Sequence, residues 1–212
     1  MLADDYVTVP FQFATAVLPL GLYFILLGLL NSRPRPQLLT GRHDFVLMMA
    51  ALCPLFVLPI LNYVGVTPLS VLLALAAVSF GIWLLAPGKR HWVIYNISQA
   101  RAASVVARAL EAMKLPAEPS EDGLTIRSGR LRVEVGGFSM LQNVSLRMYG
   151  CDNKLDEQFE RELAQQLGPV RVETSSMAMA MLLVATAMCV APLMLVAHQA
   201  GEIVRILTDL LK

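Results

Sequence analysis

The chain has 212 residues, of which 56% are hydrophobic and only 16% are charged, and its formal net charge is +1. This composition lies outside the usual range of soluble domains and indicates membrane-spanning segments. The small net charge excludes a protein that binds nucleic acid simply by being basic overall. The cysteines, Cys53, Cys151 and Cys189, are far apart in the sequence and predict neither a disulfide framework nor a zinc-ribbon spacing.

Four apolar stretches are long enough, or nearly so, to cross the hydrocarbon core of a bilayer as helices, which takes about 20 residues. They cover residues 11–30, 45–64, 69–86 and 176–197. None contains Asp, Glu, Lys, Arg or His, so each satisfies the hydropathy criterion for a transmembrane helix. The sequence predicts an α-helical integral membrane protein with four transmembrane helices, three of them within residues 1–87.

The positions of the cations predict the orientation of these helices. Arg33, Arg35 and Arg42 lie between the first two stretches, and Lys89 and Arg90 directly follow the third. The connection between the second and third stretches has no cation. By the positive-inside rule, we expect residues 88–175 and the first loop in the cytoplasm and both termini outside. The expected location is the cell (plasma or inner) membrane, crossed several times.

Residues 88–175 have the pattern of an α+β domain inserted between the third and fourth stretches. The β-branched and aromatic run 91–97 predicts a strand, and the 3.6-residue spacing after Ser98 predicts an amphipathic helix with this apolar stripe: Ala102, Val105, Val106, Ala109, Leu110 and Met113. The segment from Pro116 to Gly123 is rich in turn residues and predicts a loop.

The rest of this region alternates in the manner of strands. The run "GLTIRSGRLRVEV" predicts a hairpin that turns at Ser128-Gly129, and "FSMLQNVSLRMYG" predicts a further strand after a turn or bulge at Gly136-Gly137. A second amphipathic helix follows, with Leu155, Phe159, Leu163 and Leu167 on one side. The run "VRVE", residues 170–173, predicts a last strand before the fourth apolar stretch.

The predicted order of elements is β-α-β-β-(β)-α-β. It is close to the split β-α-β arrangement of ferredoxin-like domains, with one added strand. In that topology the first strand begins and the last strand ends at the same end of the sheet. A domain held by membrane helices at both of its termini needs this geometry.

Arginines are concentrated on one face of the predicted sheet. The outward positions include Arg127, Arg130, Arg132 and Arg147. They form a candidate surface for anionic lipid head groups or an acidic partner protein. The alternative is an ordinary solvated face on which Glu134 and other acids pair with the arginines.

No motif in the chain predicts catalysis, a cofactor or a bound metal. The sequence has no P-loop, nucleophile elbow or dinucleotide fingerprint. The histidines, His43, His91 and His198, lie at the ends of apolar stretches, which argues against haem held between transmembrane helices. A metal site made by His43, Asp44 and His91 has no supporting ligand spacing. The acidic side chains of the second amphipathic helix are expected on the surface.

The C-terminal residues 198–212 predict an amphipathic helix, with Ile203, Val204, Leu207, Leu210 and Leu211 on one side. It is expected either on the membrane surface, against a partner, or as a continuation of the fourth stretch.

These observations predict a non-enzymatic integral membrane protein that acts as a subunit or scaffold of a larger membrane complex. Its expected partners are membrane lipids and other membrane-protein subunits or further copies of itself, with no nucleic acid. The alternative is a transporter or channel component with a regulatory cytoplasmic domain, although the apolar stretches carry no ionisable residue of the kind that ion pathways normally use. A third hypothesis, a membrane enzyme acting on lipid, requires a polar pocket near His43 and His91.

Overall fold

A computed structural model describes these residues of the chain: 2–88, 90–115, 117–120, 123–126, 131–138, 142–150, 153–173, 175–198 and 201. Arg127, Arg130 and nearly all of the predicted C-terminal helix lie outside the described residues.

Helices make up most of the described chain. They are α1 (Leu2–Ser32), α2 (Gly41–Val64), α3 (Pro68–Leu85), α4 (Gln99–Ala112), α5 (Asn153–Leu167) and α6 (Ser176–His198). The strands are β1 (Gln37–Thr40), β2 (His91–Tyr95), β3 (Ala117–Ser120), β4 (Gly123–Ile126), β5 (Arg132–Phe138) and β6 (Asn143–Tyr149).

Four of the helices are long and apolar enough to cross a membrane, as the sequence predicts. The qualifying segments are Pro10–Ser32, Gly41–Val64, Pro68–Leu85 and Ser176–His198. They remain helical despite internal prolines in α1, α2 and α6. Pro68 begins α3, where its missing N–H loses no helical hydrogen bond, and the preceding Thr67 accepts the Ser70 N–H through its hydroxyl.

The chain divides into two compact units. The helical unit contains Met1–Leu26, Leu47–Leu85 and Met181–Lys212, and the sheet unit contains Leu27–Val46 and Ala86–Ala180. The sheet unit therefore includes the end of α1, the start of α2 and all residues between them.

The helical unit has few buried side chains. Val57 and Leu61 of α2 pack with Ala74 of α3, as expected for the hairpin that the short turn between these helices predicts. Many large apolar side chains point outward, with Leu183 75% exposed. A surface of this kind requires an apolar solvent or an extensive partner.

The sheet unit is built on one antiparallel sheet with the strand order β1-β2-β6-β5-β4-β3. Strands β2 and β5 run in the same direction with β6 between them, and α4 precedes the β3–β4 hairpin in the connection from β2 to β5. The side chains of α4 and α5 cover one face of this sheet. The buried stripe of α4 is the predicted one, and its members Ala102, Val106, Ala109 and Leu110 have no exposed surface.

An aromatic pair closes the core between the sheet and α5. The rings of Trp92 and Phe159 meet edge to face with their centroids 5.4 Å apart, and both residues are almost completely buried. Trp92 also donates its indole N–H to Glu160 at 3.2 Å, so the ring's polar atom is satisfied. The predicted apolar stripe of α5 supplies Phe159, Leu163 and Leu167 to this core.

The prediction of a last strand over residues 170–173 is wrong. These residues form no strand, and the Val172 N–H donates to the Pro34 carbonyl at 3.1 Å. The physical reason is that β1 already occupies the outer edge of β2, with Leu38 opposite Ile94 and Leu39 opposite Val93. The segment between the first two apolar helices, which was predicted to be only a loop, supplies this edge strand.

Two further details of the sheet differ from the prediction. Ala117–Ser120, expected in a loop, is the edge strand β3 and pairs with β4. Its Pro119 is tolerated because the strand has a neighbour on only one side. Gly136 and Gly137 lie inside β5 and not at a turn, and a Cβ on Gly137 would come within 3.0 Å of the Gln99 side chain at the start of α4.

Candidate functional site

The predicted arginine face lies on the side of β5 and β6 away from the core. Arg132 and Arg147 are both exposed, and Tyr149 lies opposite Arg132 in the register. Arg132 approaches Glu134 at 3.6 Å, and the Tyr149 hydroxyl donates to the same carboxylate at 3.2 Å. Arg147 lies opposite Glu134 but makes no ion pair with the residues that the structure describes. Within the described part of this face, Arg132 thus has an ion pair and Arg147 has none.

The start of α2 covers the other half of the same face. Val93 and Tyr95 point away from α4 and α5, yet both are buried, with Tyr95 only 2% exposed. The Tyr95 hydroxyl donates to the carboxylate of Asp44 in the first turn of α2. The sheet consequently has one half-face packed against the segment between the apolar helices and one half-face open to solvent.

Two buried asparagines fix the end of α1 to the end of β2. The Asn96 backbone N–H donates to Asn31 Oδ1 at 3.0 Å, and its side-chain amide donates to the Arg33 carbonyl at 2.7 Å. Asn96 has a φ of 58°, a left-handed conformation that asparagine tolerates better than most residues. Asn31 Nδ2 and Asn96 Oδ1 have no hydrogen-bond partner. The contact is a structural clamp within the sheet unit.

His91 packs directly against the first residue of α2. A Cβ on Gly41 would lie 2.1 Å from His91 Nδ1, so only glycine allows this approach. Burial, assisted by the Arg147 guanidinium, lowers the pKa of His91 below its ordinary value, while the Asp44 carboxylate acts in the opposite direction. His91 Nδ1 has no hydrogen-bond partner, which fits a neutral ring in this position.

A cavity of about 460 Å³ opens between the start of α2 and the first turns of α5. Its lining combines basic, acidic and apolar groups: Thr40, Arg42, His43, Val46, Gly88, Trp92, Asp156, Glu157 and Glu160. The Thr40 hydroxyl is hydrogen-bonded to His43 Nδ1. Asp156 is 8% exposed and forms an ion pair of 2.9 Å with Arg90 through Oδ2, whereas its Oδ1 has no partner.

The cavity contains only some of the residues that the third hypothesis named. His43 lines it, whereas His91 lies against Gly41 and Arg147 on the other face of the sheet. The carboxylates of α5, which were expected only on the surface, provide one wall. Within the described ranges, no group of His, Cys, Asp and Glu side chains has the arrangement of a metal site. The mixed lining makes the cavity a candidate binding site.

A second cavity, of about 620 Å³, lies at the start of α4. Its lining includes Arg101, Arg171 and Glu173, together with Ser98, whose side chain makes no capping hydrogen bond. Arg101, Arg171 and Glu173 are all exposed.

The chain has been compared with known proteins at three levels. It matches no protein-family model, no curated protein and no solved structure.

Proposed function

We propose that this chain is a multi-pass membrane protein that presents its sheet unit as a non-enzymatic interaction module within a larger membrane complex. The observation that carries the proposal is the edge strand β1, which joins the segment between two apolar helices to the sheet. The Asn31–Asn96 and Asp44–Tyr95 contacts reinforce this link. A module connected to the spanning helices at several points of the chain suits a scaffold.

The arrangement of the sheet supports a ferredoxin-like topology for this module. Strands β2 and β5 flank β6, and α4 lies in the connection between them, as in a split β-α-β unit. The position of the usual last strand is taken by β1, which comes from an earlier part of the chain. The proposed module is thus completed only when the first two apolar helices are in place.

We place the sheet unit on the cytoplasmic side of the cell membrane. Arg33, Arg35 and Arg42 are exposed, and they lie on the segment that contributes to this unit. The turn between α2 and α3 has no cation, in keeping with an outer location.

Single-cysteine variants test this sidedness. In a chain without its native cysteines, Val66→Cys is expected to react with a membrane-impermeant maleimide added to intact cells. Arg35→Cys is expected to react only after the cells are opened. The reverse pattern would contradict the proposed orientation.

The contact surface that we propose is the open half-face of the sheet around Arg132, Arg147 and Tyr149. Exposed guanidinium groups beside an exposed aromatic ring are suited to an acidic protein surface, because arginine and tyrosine are favoured at contact sites. Anionic lipid head groups are the other class of ligand that such a surface would attract.

Affinity purification of the full chain in mild detergent tests this proposal. The variant Arg132→Glu/Arg147→Glu is expected to lose at least one protein that co-purifies with the wild type, since charge reversal introduces repulsion as well as removing attraction. The matched control is Arg108→Glu, an exposed position on α4 away from this face. Identical sets of co-purified proteins from all three chains would contradict the proposed surface.

A further inference from the structure

The cavity beside α2 has two walls of opposite charge. One wall contains Thr40, Arg42 and His43, from the end of β1 and the start of α2. Asp156, Glu157 and Glu160 come from α5. Carboxylates outnumber the guanidinium in this lining, so a ligand with only negative charge would meet repulsion. A ligand that carries separate positive and negative groups matches both walls.

The carboxylate of Asp156 adds a buried negative charge to this lining, and its ion pair with Arg90 holds it in place. This residue is 8% exposed and lines the cavity, and its Oδ1 has no hydrogen-bond partner. Leaving a buried carboxylate oxygen unpaired costs free energy, because it has lost its hydration without a replacement. Trp92 fixes the neighbouring Glu160 through its indole N–H, so the acidic wall is held in place before any ligand binds.

The lining of the cavity also includes residues at the ends of two proposed spans. Its lining includes the first turns of α2 and Gly88, three residues after the end of α3. Because α2 and α3 form a hairpin of two spans, the start of one and the end of the other reach the same membrane surface. Val46, an exposed apolar residue of α2, provides a lipid-compatible rim.

We propose that this cavity binds a phosphodiester that carries a primary ammonium group, the head-group chemistry of phosphatidylethanolamine. This inference rests on the proposed membrane function, because it takes the ligand from the bilayer. The phosphate is assigned to Arg42, His43 and the Thr40 hydroxyl. The ammonium is assigned to the carboxylates of α5, since its three N–H donors match acceptor-only groups. The cavity volume lies within the range of about 300–1,000 Å³ typical of small-molecule sites.

The chemistry of the walls also selects against the other common head groups. A trimethylammonium group has no N–H to donate, and the one aromatic lining residue, Trp92, is almost completely buried and offers no open cage. A glycerol head group supplies no cation for the carboxylates. We therefore expect selectivity for phosphatidylethanolamine over phosphatidylcholine and phosphatidylglycerol.

The test is a titration of the full-length protein, in mild detergent, with short-chain forms of these three lipids, read by native mass spectrometry. The wild type is expected to bind phosphatidylethanolamine about tenfold more tightly than the other two, a difference of about 1.4 kcal/mol. Glu157→Gln/Glu160→Gln preserves volume and is expected to reduce this preference below about threefold. Arg42→Gln is expected to weaken the binding of all three lipids. The matched control, Glu111→Gln/Glu162→Gln, changes two carboxylates outside the cavity and is expected to keep the preference.

Two soluble competitors distinguish the source of the ligand. Displacement of the lipid by glycerophosphoethanolamine at similar concentration would support the same head-group chemistry in a soluble phosphodiester. Equal displacement by free ethanolamine would contradict the phosphate part of the assignment. Equal binding of the three lipids by the wild type, or loss of preference in the control, would overturn the proposal. The proposed membrane function is tested separately. Release of the chain from membranes at alkaline pH would contradict that function, whatever the lipid titration shows.

Discussion

At the scale of single residues, Gly41 has the most demanding position in the sheet unit. An alanine there would place its Cβ 2.6 Å from His91 Cγ as well as near Nδ1, so the ring must move. We expect Gly41→Ala to lower the free energy of unfolding by about 1–3 kcal/mol, as overpacking typically does. Chemical unfolding of the full chain in detergent, followed by amide exchange in β2, measures the loss.

Gly88→Ala is the control for this prediction, because a Cβ at Gly88 meets nothing within 4 Å. Its stability is expected to match that of the wild type, and adding His91→Ser to Gly41→Ala is expected to restore part of the loss. Equal stability of the two alanine variants would show that the contact with His91 does not constrain this position.

His91 also predicts how stability depends on pH. Because the pKa of His91 is lower in the folded chain than its ordinary 6.5, the unfolded chain holds a proton that the folded chain lacks in the interval between the two values. The free energy of unfolding is therefore expected to fall as the pH drops below about 6.5. His91→Gln should flatten this part of the profile.

Arg147→Gln should partly flatten the dependence of stability on pH, because removing the guanidinium raises the pKa of His91. The measurement is unfolding by denaturant at a series of pH values. An unchanged slope in both variants would contradict this assignment.

At the scale of elements, a pair of amides joins α1 to α2 within the helical unit. Gln12 and Asn62 exchange hydrogen bonds of 3.1 and 3.3 Å. Inter-helix hydrogen bonds of this kind contribute about 0.6 kcal/mol on average and at most about 1.7 kcal/mol in a membrane protein. Gln12→Leu and Asn62→Leu are each expected to lower the free energy of unfolding by about this amount. The double variant is expected to be little less stable than either single variant.

Thr186→Val is the matched control, because the Thr186 hydroxyl bonds only to the Leu182 carbonyl of its own helix. Unfolding titrations in detergent measure the free energy of unfolding of the wild type, the two single variants and the double variant, which together form a double-mutant cycle. Fully additive effects of the two leucine substitutions would contradict a direct interaction.

The elements that were predicted correctly are those whose pattern is local and repeats over several turns. The apolar spans and the stripes of α4 and α5 show period and length within one continuous segment. β1 is only four residues long, Gln37–Thr40, with no alternation, and its partner β2 lies more than fifty residues away. Residues 170–173 alternate well, but the edge of β2 with which they were expected to pair is occupied by β1. Sequence periodicity contains no information on which strand edges of the sheet are already paired with another segment.

The same reasoning applies to the candidate sites. Arg132 and Arg147 follow a strand pattern, so their common side could be predicted, although the ion pair of Arg132 with Glu134 could not. The cavity could not be predicted from the sequence, because its walls come from α2 and α5, which are distant in the chain. In the sequence, Glu157 and Glu160 are typical of acidic residues near the start of a helix. Only the fold brings them into one cavity with His43 and Arg42.

At the scale of the whole molecule, the chain joins its two kinds of structure more than once. The sheet unit receives residues from the segment between α1 and α2, begins shortly after α3 and ends in the first turn of α6. A domain inserted at a single point would need only the last two connections. The third connection is the added strand β1, which comes from the segment between the first two helices.

The central claim, that β1 completes the sheet of a chain in its membrane, is tested most directly by cross-linking Leu39→Cys to Val93→Cys. Residues opposite each other in antiparallel strands lie within disulfide range, whereas Ser145, one strand further, is about 10 Å from Leu39. A protease site after Val66 in a chain without native cysteines separates the two halves. After oxidation in membranes, we predict linked halves for Leu39→Cys/Val93→Cys and separate halves for Leu39→Cys/Ser145→Cys. Separate halves for both pairs, or equal linkage of both, would contradict the account.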